Sequence, residues 1–115
     1  AAPGGGGHAT EKRISEEGGR ESDKLIFAKG DNTWDLARKY GSRQKPGLNI
    51  LVYVGNKGFN YQNNLEWMKH LKGLKIPFQK IIIADAPHSA TIIYEKRGIE
   101  IMDFHARNFK EALLK

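Results

Sequence analysis

The sequence predicts an α/β fold built on a parallel sheet, and three features carry that prediction. Two short runs carry the strands: Leu48–Val54, nearly continuously apolar and rich in β-branched side chains, and Phe78–Ala84, apolar from Ile81 on. That is the composition of strands covered on both faces. Between them Tyr61, Leu65, Met68 and Leu71 recur at helical spacing, so the segment reads as strand, helix, strand: a βαβ unit. Beyond the second run the chain is helical again to its end.

Taken in order, Ala1–Gly7 is glycine-rich, and residues 8–24 mix charged side chains with one large apolar residue, Ile14. Such a stretch cannot offset its own ordering entropy, so 1–24 is expected to be a flexible, disordered segment and 25–115 the folded domain. Asp31-Asn32-Thr33 supplies turn and capping residues for a short helix over Trp34–Tyr40, which Gly41 ends. Ser42–Gly47 is a basic linker, the first strand follows, and 55–60 is a Gly/Asn loop. The helix 61–72 is expected to stop at Gly73 in left-handed conformation, with Pro77 preventing continuation. After the second strand and the loop 85–89 come a short helix around 91–96 and a longer one from about 98 or 99 to 114. Ile99, Met102, Ala106, Phe109 and Leu113 repeat at spacings of 3, 4, 3 and 4; this stripe is expected to pack on the sheet. Two parallel strands buried on both faces need neighbours, so further strands are expected from another chain or from a longer version of this one.

Composition narrows the function classes. The chain has 115 residues, the size of one small domain. No apolar run approaches the roughly 18–20 residues that span a bilayer. There is no cysteine, which removes disulfides and thiolate metal sites. The net charge of +6 is dispersed rather than gathered into a basic stripe, so a solvated basic surface is favoured over nucleic-acid binding. No histidine pair has metal-ligand spacing, and neither a metal nor a cofactor is expected.

Chemistry is expected where open parallel sheets bind ligands, beyond the carboxyl ends of the strands. Those ends are the loops 55–60 and 85–89, on one edge of the sheet. The second carries His88, behind Pro87, and a loop histidine there can act as a general base. It is opposed by Asn56, Lys57 and Asn60, and flanked by Asp85 and Ser89; these five are the candidate cleft residues. Ser89 reads better as a turn or cap residue than as a nucleophile. His70 is expected on the surface of its helix, and His105 partly buried beside the final stripe. The serines, at 15, 22, 42 and 89, include none in a G-x-S-x-G elbow. Gly4–Gly7 lacks the Lys-Ser/Thr of a phosphate loop.

These residues resemble a known family. The run Val54-Gly55-Asn56-Lys57-Gly58-Phe59-Asn60-Tyr61, then Asn64-Leu65, His70-Leu71 and Gly73-Leu74-Lys75-Ile76-Pro77, is similar to the C-terminal part of esterases of the α/β-hydrolase superfamily. These include the feruloyl-esterase-like and acetyl-xylan-esterase-like groups. Ala86-Pro87-His88 resembles their catalytic-histidine loop. Tyr94-Glu95 and Phe104-His105 resemble the closing helices, and Asp31–Ala37 the segment before the penultimate strand. The likeness covers about 25–115 and rests on the order and spacing of elements.

The resemblance implies a partial α/β-hydrolase fold: the βαβ unit plus C-terminal helices, with His88 as catalytic histidine. It implies a small-molecule or carbohydrate ester as substrate, and a serine elbow upstream of Ala1, in the same gene or another chain. The chain departs from the family at Gly58, where the triad acid is expected. Asn56, Asn60 or Asp85 remain as partners for His88. On this reading the chain is part of a carboxylic-ester hydrolase and inactive alone. The alternative is a non-catalytic α/β binding module that has lost the triad acid.

Overall fold

A computed structural model describes residues 33–114. The segment 1–24 and the cap residues Asp31 and Asn32 lie outside them. The elements are α1 (Thr33–Gly41), β1 (Leu51–Gly55), α2 (Tyr61–Gly73), β2 (Gln79–Ile83) and α3 (Ala90–Leu113). β1 and β2 pair in parallel, Leu51 opposite Gln79 through Gly55 opposite Ile83. This is the α/β fold the sequence predicts: a parallel strand–helix–strand unit followed by C-terminal helix. Among the described residues the sheet has two strands, and no helix is long and apolar enough to cross a membrane.

The described residues divide into two compact units, 49–62 with 78–114, and 33–48 with 63–77. The first holds the sheet and α3. Because successive side chains alternate between faces, Leu51, Tyr53, Ile81 and Ile83 share one face. They pack with Ala86, Ile92, Ile93 and Ile101 into a single core. On the other face of β1, Val52 and Val54 are also buried, as the unbroken apolar run requires. Tyr53 meets Tyr94 edge-on, ring centroids 6.4 Å apart. Burial and the Tyr94 hydroxyl push the Tyr53 phenol up to about 12, so it stays protonated. Both strands are shorter than the apolar runs. The Leu48 N–H donates to the Tyr40 hydroxyl rather than to a ladder partner, and that hydroxyl donates to the Pro46 carbonyl.

α3 departs from helical backbone at Arg97 (φ −137°, ψ 16°). The short and long helices expected on either side of that residue therefore join with a break between them. Ser89 caps the first part, its hydroxyl accepting from the Ile92 N–H at 3.4 Å, in the role read for it from the sequence. Arg97 grips Glu100 with two donors, one at 2.6 Å, and Gly98 is buried where a Cβ would press on the Tyr94 ring at 3.1 Å. The stripe Ile99, Met102, Ala106, Phe109, Leu113 does not pack on the sheet, contrary to expectation. Ile99 is 80% exposed and Leu113 87%, whereas Ile101 is 0% and Phe104 7%. The sheet-facing side of α3 is the opposite one.

In the second unit, α2 ends differently from the sequence reading. Gly73 is still helical, and the left-handed residue is Lys75 (φ 57°). The Lys75 N–H donates to the Lys72 carbonyl and the Ile76 N–H to the Leu71 carbonyl. This is a Schellman ending, sealed by the buried pair Leu71 and Ile76. His70 is half-buried, not on the surface. It stacks on Trp34 with centroids 4.0 Å apart and donates from Nε2 to the Trp34 carbonyl at 3.1 Å.

Candidate active site

The loops that leave β1 and β2 lie on the same sheet edge, in the first unit, because the strands are parallel. Backbone bonds sew them together. The Asn56 N–H donates to the Ile83 carbonyl and the Lys57 N–H to the Ala86 carbonyl, both at 3.0 Å. Asp85 has left-handed backbone (φ 55°), tolerable for a short polar residue, and its N–H donates to Asn56 Oδ1 at 2.9 Å. Ala86, fully buried, sits beneath Gly55. The next two residues, Pro87 and His88, are exposed.

The candidate residues sort into three roles. Asn56, Lys57 and Asp85 clamp the loops: Lys57 Nζ lies 2.8 Å from Asp85 Oδ1. The Lys57 hydrogen bond, reinforced by its charge, holds the Asp85 carboxyl below the usual carboxylate range. Both side chains are open to water, so the pair fixes geometry more than it stabilises. Ser89 caps α3, which commits its hydroxyl. His88 and Asn60 flank Gly58. An ideal Cβ on Gly58 would lie 2.8 Å from Asn60 Oδ1 and 3.3 Å from the His88 backbone nitrogen. Phe59 closes the other side, edge-on to the imidazole with centroids 4.8 Å apart.

The position expected to carry the acid thus lies beside the histidine loop, across 30 residues of sequence. Among the described residues no carboxylate bonds to the imidazole, and Asp85 is held by Lys57 instead. Nor do three or more His, Cys, Asp or Glu side chains there gather around a possible metal. A groove of about 440 Å³ opens elsewhere, at the amino ends of the strands between β2 and α3, with Lys80, Arg97, Glu100 and Phe104 in its wall. It does not include His88. Sequence reasoning missed Ala86 as the floor of the site; the signal was Gly55, a glycine closing a β-branched run where another backbone comes close.

No family model, curated protein or solved structure matches the chain.

Proposed function

We propose that the chain is the C-terminal segment of a serine ester hydrolase and that His88 is its general base. One observation carries this reading: the Gly58 position, where the resemblance calls for the acid, adjoins the His88 backbone at the carboxyl end of a parallel sheet. A base there takes the proton from a serine hydroxyl as it attacks the ester carbonyl, then returns it to the leaving alcohol. The exposure of His88 leaves it open to a nucleophile from another segment. The described serines are otherwise engaged: Ser89 caps α3, and Ser42 donates to the Lys39 carbonyl. The serine elbow and oxyanion donors therefore come from the rest of the enzyme, and the substrate is a small-molecule or carbohydrate ester.

A second reading, a binding module without catalysis, is favoured by the absence of a carboxylate on His88 among the described residues. One experiment separates the two. The 115-residue chain alone should not hydrolyse p-nitrophenyl acetate above background. Joined to its upstream coding sequence it should hydrolyse the ester, and His88→Ala should lower kcat by roughly 10³-fold or more. A joined protein that is inactive, or one whose activity ignores His88→Ala, would sink the proposal in favour of the binding module or of a different base.

A further inference from the structure

We infer that the outer seam of α3 is a self-association surface, on which a second copy of this chain docks in antiparallel register. Past Arg97 the helix is unbroken, and the side turned away from the sheet carries Met102, Ala106, Phe109 and Leu113. Their spacings of 4, 3 and 4 follow the 3.5-residue repeat by which one helix offers a narrow apolar seam to another. Met102 and Phe109 are more than half exposed and Leu113 almost wholly so, while Ile101 and Phe104, on the sheet-facing side, are buried. A contiguous apolar stripe left in water marks a docking surface.

Charge identifies the occupant and its direction. Asp103 and Lys110 follow Met102 and Phe109 by one position each, so both line the same flank of the seam. Both are exposed, and neither side-chain charge forms an ion pair among the described residues. Let two such helices run antiparallel, with Met102 against the second copy's Leu113 and Ala106 against its Phe109. Asp103 then meets the second copy's Lys110, and the two-fold axis repeats every contact. The small Ala106 gives the large Phe109 room. A parallel pair instead sets Asp103 beside Gly98 and Lys110 beside His105, so both charges lose their opposite. Ile99 falls outside the antiparallel overlap. About three turns of helix a side cover less than the roughly 1,200–2,000 Å² of a stable dimer, so the association is weak and concentration-dependent. The seam starts about 20 Å along α3 from His88, and the strand-end loops stay free.

The test is sedimentation equilibrium on the whole 115-residue chain, from micromolar to millimolar concentration. The mass should rise from that of one copy towards that of two. Phe109→Lys should weaken association by about tenfold or more, as the loss of a central aromatic anchor does. Asp103→Lys and Lys110→Asp each set like charges face to face, and each alone should weaken association about fivefold at low salt. The two together restore the opposed charges and should recover the parent's association, which no effect on folding imitates. That charge swap decides the matter even if Phe109→Lys fails to fold. A single copy at every concentration would overturn the inference and assign the seam to a different partner. A dimer indifferent to Phe109→Lys, or one that the double swap does not restore, would overturn it too.

Discussion

Ile101→Ala is expected to destabilise the chain by about 2–5 kcal/mol, the range for truncating a buried isoleucine in a core that cannot fully collapse around the cavity. Ile101 is completely buried and packs with Ile83, Ala86 and Ile93, the centre of the core between the sheet and α3. That core is small, and a small domain holds only about 5–15 kcal/mol in all, so the loss is a large share. Urea unfolding should show a lower midpoint with an unchanged slope. The matched control is Ile99→Lys, two residues away on the outer stripe. At 80% exposure it should change stability by no more than about 0.5 kcal/mol. Equal losses for the two substitutions would mean that the outer stripe, not Ile101, faces the sheet.

Gly55→Ala is expected to cost about 3 kcal/mol or more and to disorder the His88 loop. The added Cβ would lie 2.1 Å from the Ala86 carbonyl oxygen, 2.7 Å from its carbon and 2.9 Å from the Ala86 Cβ. Two of these are backbone atoms, with no rotamer by which to withdraw. Overpacking alone costs about 1–3 kcal/mol. Parting the loops also breaks the Lys57-to-Ala86 bond, and a buried bond lost without replacement adds about 1 kcal/mol. Amide spectra should show shifts concentrated at 55–59 and 84–89. A variant with the stability and spectrum of the parent would show that the two loops are not in contact.

The parallel strand–helix–strand unit was legible because continuous apolar β-branched runs have few other uses, and the helical spacing of Tyr61, Leu65, Met68 and Leu71 separates them cleanly. That the two loops share one sheet edge followed from strand direction alone, which brought His88 opposite the loop carrying Asn60. What resisted was whatever depends on partners distant in sequence. α3 carries two apolar faces, and the longer one, from Ile99 to Leu113, wins any count of periodic positions. Ile93, Ile101 and Phe104 are fewer, and the break at Arg97 interrupts their phase. His70 looked like a surface residue because Trp34, on which it stacks, is 36 positions away. Gly73 drew the helix ending to itself, yet hydrogen bonding places the left-handed turn at Lys75. The roles of Asn56 and Asp85 were similarly hidden: both are polar loop residues, but their acceptor oxygens are spent on an amide and an ammonium across the loops.

The bonds that sew the strand-end loops together also set a clock. Asn56 and Lys57 are exposed turn residues, of the kind whose amides normally trade hydrogen for deuterium without any unfolding. Here their N–H groups continue the strand ladder into the Ile83 and Ala86 carbonyls. Release therefore requires the loops to separate, an opening of the sheet's edge rather than a flicker of one turn. In deuterium oxide these two amides should exchange on the timescale of the β1 amides, and Phe59, exposed in the same loop, should exchange well before them. Equal rates at 57 and 59 would mean that the edge opens residue by residue.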